Sequence, residues 1–329
     1  MKTLDFHCDT MEQIYSARVK GKEISLVKNE LQLDCEGMQE ADYILQCFAL
    51  WIDCEKYHYP YETYRDMLSV FKEKLSETKL AHVRDRKGLE AVLAAKRIAA
   101  LLTVEDGGII GNKIELLDEL FQDGVRLMTL TWNYNNRIGT AAVAKNQDWG
   151  LTSFGREVVM RMEELGMIVD VSHLSDKGVL DVLDVTTKPF VASHSNARAE
   201  LSHPRNLPDP LIREIGRRGG VIGLNFCVSF LLPEFSWSRQ IGLSPENVYI
   251  PRQIFEAVLR HARHIADVGG IDVLALGSDL DGIPVNAAIP TAGAMTELYD
   301  EFRRGGFKPS EIDKIFYGNG LRVLRELLP

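Results

Sequence analysis

An alternation constrains this chain more than any other feature. Short, mostly continuous apolar runs occupy residues 3–9, 44–50, 98–105, 125–131, 167–173, 189–194, 220–226 and 273–279. Runs of this length, without strict polar alternation, suit parallel strands buried on both faces. Stretches with helical period lie between them, most clearly 62–76, 113–123, 154–165, 209–218, 253–268 and 310–328. The last opens on Ser310-Glu311-Ile312-Asp313, a capping-box pattern with Asp where Glu or Gln is usual. Eight strands alternating with helices in 329 residues predict an α/β fold, a (β/α)8 barrel of the TIM type, as a single domain over 1–329. A doubly wound sheet is the alternative, but no Gly-x-Gly-x-x-Gly follows the first strand to support a dinucleotide site. Two stretches read as excursions. One is the polar, irregular 20–42; the other is 227–251, where Phe230, Phe235 and Trp237 stand among turn residues and are expected over the top of the barrel.

In a barrel of this kind, chemistry sits at the C-terminal ends of the strands. Those ends carry His7 and Asp9, Glu105, His173, His194 and Asp279. Any one of them has an ordinary explanation as a satisfied core histidine or a turn carboxylate. Six at one end of successive strands point to a metal centre. On an extended chain His7 and Asp9 face the same way and Cys8 the other. Imidazole and carboxylate without thiolate suit zinc, or manganese, iron or cobalt. Two divalent ions sharing a carboxylate and a hydroxide would use the whole set, with Glu105 as the natural bridge, and would perform hydrolysis.

The bulk numbers exclude other classes. A net charge of −9 argues against nucleic acid or an anionic membrane as partner, since both need basic faces. No apolar run approaches the roughly 18 residues of a membrane span. The first strand starts almost at Met1, so a cytoplasmic location without a leader is the expectation. Cys8, Cys35, Cys47, Cys54 and Cys227 are odd in number and irregular in spacing, which predicts reduced, partly buried thiols.

Several motifs resemble, in order, the renal (membrane) dipeptidase family. They are His7-Cys8-Asp9, Val104-Glu105-Asp106-Gly107-Gly108, Met128-Thr129-Leu130-Thr131, Asp170-Val171-Ser172-His173, Ser193-His194-Ser195, Pro204-Arg205-Asn206-Leu207-Pro208-Asp209 and Gly277-Ser278-Asp279-Leu280-Asp281-Gly282, closed by Tyr317-Gly318-Asn319-Gly320-Leu321. The resemblance implies a zinc dipeptidase, usually dimeric, cleaving dipeptides that include ones with a C-terminal D-residue. It also implies His7 and Asp9 on one Zn2+, His173 and His194 on the other, and Glu105 bridging both. Arg205 would bind the substrate carboxylate, which a guanidinium fork matches. Asp279 would carry the proton to the leaving amine, with Asp281 ranked second, while His203 has no family role.

Two positions depart from the family pattern. Trp132 stands where members often carry a substrate-contacting His, and indole cannot take up a proton. The stretch Trp132-Asn133-Tyr134 is therefore expected against substrate, with either Asn133 or a neighbour polarising the carbonyl or the reaction leaning more on the metals. Asp106 stands where Gly is common, and is expected to face away from the ligands as their support. Other metal-dependent hydrolases, acting on lactones, N-acyl amino acids or esters, use the same barrel and metal pair. A catalytically silent metal-binding barrel is the reading from another class.

Overall fold

The computed structural model describes residues 1–145, 147–233 and 251–329. Its strands are β1 (Thr3–Asp5), β2 (Tyr43–Trp51), β3 (Ala81–His82), β4 (Ala99–Glu105), β5 (Val125–Thr129), β6 (Ile168–Asp170), β7 (Val191–Ala192), β8 (Val221–Leu224) and β9 (Leu274–Leu276). All pairings are parallel, and β1-β2-β4-β5-β6-β7-β8-β9 closes on itself because β9 also pairs with β1. That is the expected eight-stranded barrel. The ninth strand, β3, adds only Ala81 and His82 beside the start of β4.

Strand parity separates two apolar layers. Leu45, Cys47, Ala99, Leu101, Leu127, Ile168, Val191 and Val221 form one cluster with Val323, Leu324 and Leu327 of the last helix. The alternate residues, among them Phe48, Leu50, Leu102, Val104 and Met128, pack in a second cluster with the surrounding helices. Leu101, Thr103 and Glu105 share one face of β4, so that face turns from apolar to acidic toward the strand's C-terminal end.

The ordered strands are shorter than the apolar runs. Only 3–5 of the run 3–9 is strand, with Cys8 making one isolated bridge to Leu280. Chain beyond the strands carries most of the polar end residues. Two glycines make the crowding there feasible. A Cβ on Gly277 would lie 1.8 Å from the Ser193 carbonyl oxygen, and one on Gly282 would lie 2.0 Å from Asp9 Oδ2.

Each predicted helix is present, with ends moved by a few residues. The final helical stretch begins earlier than the sequence pattern suggested. Pro309 is its first helical residue, and the Glu311 carboxylate accepts the Lys308 N–H at 2.8 Å. The cap therefore sits at Lys308 and not at Ser310, because Pro supplies the preset φ of a first turn. Helices not singled out from sequence are, among the described residues, Thr10–Val19, Cys35–Glu40, Arg86–Ala94, Asp176–Val185, the short Val228–Leu231 and Met295–Arg304. The excursion 20–42 thus contains a helix at Cys35–Glu40, capped by the Asp34 side chain on the Gly37 N–H. Of the second excursion, Phe230 is buried, whereas Phe235 and Trp237 lie outside the described residues. The five cysteines are free thiols, four of them buried.

Candidate metal centre

Six polar side chains from five strand ends meet at the mouth of the barrel, all of them 8% exposed or less. His7 Nε2 stands 3.2 Å from Asp9 Oδ2, 3.4 Å from Glu105 Oε2 and 3.8 Å from Asp279 Oδ1. Across Glu105, its other oxygen lies 3.0 Å from His173 Nε2 and 3.5 Å from His194 Nε2. Glu105 is thus in the middle, one oxygen toward each half. His7, Glu105 and His194 form one group whose ligand atoms lie within 4.8 Å of one another, and His7, Asp9 and Asp279 form another. His173 flanks the first group, 3.0 Å from His194 Nε2.

Hydrogen bonding fixes which nitrogens face inward. Ser193 Oγ–H donates to Asp170 Oδ2 at 2.6 Å, so its oxygen accepts from His194 Nδ1–H at 2.7 Å. His173 Nδ1–H donates to Asn133 Oδ1 at 3.0 Å. Both rings therefore turn unprotonated Nε2 atoms toward each other and toward Glu105 Oε1. Three electron-pair donors with no hydrogen among them form a place for a cation. Asp9 Oδ1 is also buried there without a hydrogen-bond partner among the described residues.

The electrostatics agree. Burial works to lower His7, but Asp9 and Glu105 outweigh it and hold the imidazole well above its ordinary value. Burial works to raise Glu105, but the charge of His7 outweighs it and holds its carboxyl below the usual range. Burial brings His173 down to about 4 and His194 well below the ordinary histidine value, leaving both neutral. The centre attracts positive charge and offers neutral imidazole, which are the requirements of a divalent ion. The donor set fits that group.

Backbone conformation contributes. His173 and Asp279 sit at φ 68° and 64°, in the left-handed region that side chains avoid. Each lies three residues past its strand, on a turn pinned by an aspartate at the last or nearly last strand position. Asp170 accepts the Ser172 and Ser193 N–H groups, and Asp5 accepts the Ser278 N–H and hydroxyl. These buried carboxylates tie β6 to β7 and β1 to β9 directly beneath the ligands. The sequence reading gave neither a role.

The profile of the membrane dipeptidase family (peptidase family M19) matches residues 1–328. The chain belongs to this family. A dipeptidase of Schizosaccharomyces pombe, described as uncharacterized, is 31% identical over 267 residues, which is 76% of this chain and 61% of that protein. The dipeptidase tcpJ of Claviceps purpurea is 30% identical over 265 residues, 80% of this chain and 58% of that protein. The chain thus spans about three fifths of these fungal relatives. The crystal structure of a Rhodobacter sphaeroides metallopeptidase, bound to a phosphinate mimic of the dipeptide L-Ala-D-Ala, superposes with a TM-score of 0.85 at 23% identity, covering 99% of each chain.

In this member of the family, a cavity of about 440 Å³ opens above the centre. Arg205 lines it, 4% exposed, with one Nη2–H···O bond of 3.3 Å to the His194 carbonyl and an Nε–H that has no partner among the described residues. His203, read as a loop histidine, also borders the cavity and accepts the Arg205 N–H at 3.1 Å. Asp279 accepts a bond from Asn225 Nδ2 at 2.8 Å, and burial raises its carboxyl above the ordinary range. Asn225 was missed, although it closes the apolar run 220–226 just as the recognised residues close theirs.

Asp281 has other work, since its oxygens accept from Thr10 Oγ1–H at 2.6 Å and the Gln32 N–H at 2.7 Å, docking the 20–34 segment. Trp132 packs against Trp51 at 4.8 Å and lines the cavity with Asn133 and Tyr134. Asn133 spends its oxygen on His173. Asp106 turns away to the Gly108 N–H and Asn136 Nδ2, each at 2.8 Å, and joins the β4 and β5 loops.

Proposed function

We propose that this protein is a metal-dependent dipeptidase that hydrolyses the single amide bond of a free dipeptide, including dipeptides with a D-residue on the C-terminal side. The observation that carries the reading is the pairing of an anion-rich, imidazole-lined centre with one buried guanidinium facing the same cavity. A dipeptide brings a carboxylate for Arg205 within reach of the centre, and an ester or lactone has no such demand. His7 and Asp9 would hold one ion, His173 and His194 the other, and Glu105 both. Divalent ions in that place polarise a carbonyl and acidify a water. Arg205 orients the substrate by its carboxylate. Asp279, held by Asn225 and kept raised by burial, accepts a proton from the attacking water at Oδ1 and delivers it to the leaving amine. Trp132, Trp51 and Tyr134 exclude water on the opposite wall.

Zinc is the ion proposed, two per chain, with a homodimer in the cytoplasm as the working state. The proposal is supported by the donor set and the family. Purified protein, assayed for metal by mass spectrometry and for amino acid release from L,L and L,D dipeptides, is expected to hold two equivalents of zinc and to cleave members of the panel. Metal-replete protein that releases no amino acid from any dipeptide would overturn the reading. Sizing chromatography tests the dimer.

A further inference from the structure

Among the described residues, five carboxylates line the cavity, those of Asp9, Glu12, Glu105, Asp279 and Asp281, against the one guanidinium of Arg205. Three of them belong to the centre, and Asp281 is engaged by Thr10 and Gln32. Glu12 is left over. It is 8% exposed, borders the cavity and receives a hydrogen bond from Ser16 Oγ, and it has no ion-pair partner among the described residues. A carboxylate that borders a cavity with no cation beside it among the described residues is placed to receive a positively charged group of a ligand.

The barrel order shows what comes. Arg205 follows β7, and in the closed ring β2 stands diametrically opposite β7. Glu12 lies in the first turn of the helix Thr10–Val19 after β1, and Trp51 is the last residue of β2. A dipeptide anchored by its carboxylate at Arg205, as the proposed function requires, therefore extends its N-terminal residue toward Glu12 and Trp51. We propose that Glu12 makes the enzyme selective for dipeptides whose N-terminal residue is lysine or arginine. The α-ammonium is not its partner, because that group lies two bonds from the scissile carbonyl and reaches Asp9 first. Glu12 is one helical turn further out, about 5 Å, the reach of a side chain. Trp51, Trp132 and Tyr134 give the aliphatic stem of such a side chain apolar and aromatic surface to lie on.

The test compares lysyl-alanine with norleucyl-alanine, which is equal in length but uncharged. For the metal-loaded wild type, kcat/KM is expected to favour lysyl-alanine about tenfold or more, and Glu12→Gln is expected to bring that ratio to about one. The ratio is internal to each protein, so a general loss of activity in the variant cancels. A wild-type ratio near one, or a ratio that survives Glu12→Gln, overturns the assignment. Calorimetric binding of the same two dipeptides separates the two readings. If neither is cleaved but lysyl-alanine binds about tenfold tighter in a Glu12-dependent way, the selectivity stands and the hydrolytic reading falls. If neither is cleaved and both bind equally, the selectivity falls with the hydrolytic reading.

Discussion

Single side chains here act through the atom they turn inward, and that atom is set by what holds the other end. Ser193 takes the His194 Nδ1–H while giving its own hydrogen to Asp170, and so commits Nε2 to the centre. Ser193→Ala leaves the ring free to turn or change tautomer. The expected result is a 10- to 100-fold weaker hold on metal, read by competition with a chelator. Arg205→Ala removes a charge-assisted pair to the substrate carboxylate, on the order of 2–3 kcal/mol. KM for dipeptides should therefore rise roughly 30- to 150-fold, with kcat reduced much less, in steady-state kinetics. Unchanged KM would take the carboxylate away from Arg205. At this scale the sequence was informative where a charged or imidazole group closes an apolar run, as at Glu105 or His194. It was uninformative about Asn133, whose contact with His173 depends on two loops 40 residues apart.

Elements place those side chains by ending where they do. Strands β6, β7 and β9 stop short of their apolar runs, and the next residues enter tight turns that aim His173, His194 and Asp279 across the mouth. These turns work only with close backbone contact. Gly277→Ala would press a methyl group into the Ser193 carbonyl. Thermal unfolding should show a loss of several kcal/mol or failure to fold, as overpacking without an escape route does. An intact melting temperature would mean that β7 and β9 yield more easily than their packing indicates. The helix Met295–Arg304 was legible in principle, with Met295, Leu298 and Phe302 on its buried face. The helix Thr10–Val19 was not, because its buried face includes Thr10 and Glu12, which are polar for reasons of the site.

For the molecule as a whole, the fold keeps two histidines, His82 and His261, neutral away from the centre. Burial brings His82 and His261 each down to about 4 from the ordinary 6.5. His261 Nδ1 accepts the Ala197 N–H at 3.1 Å, and the His82 ring packs on Phe71. The unfolded chain takes up these protons near pH 6.5 while the folded chain does so only near pH 4. The contribution of these two histidines to stability is accordingly full above about pH 6.5 and is lost as the pH drops toward 4, by up to about 1.4 kcal/mol per pH unit for each histidine. Urea unfolding midpoints at pH 7 and pH 5 should differ in that direction, and His82→Leu should make the difference smaller. A variant with an unchanged acid limb would show that His82 is protonated in the fold.

By itself the sequence determined the alternation of buried strands and helices, the barrel it closes into and the polar residues at the strand ends. Periodicity and the cost of burying charge are local properties, and they are written in consecutive residues. Which nitrogen of His194 faces the centre, why Asp281 serves a loop while Asp279 faces the cavity, and that Glu12 has no ion-pair partner among the described residues were decided only in three dimensions. Each depends on a hydrogen bond, or the lack of an ion pair, with a group the chain brings near only when the barrel closes.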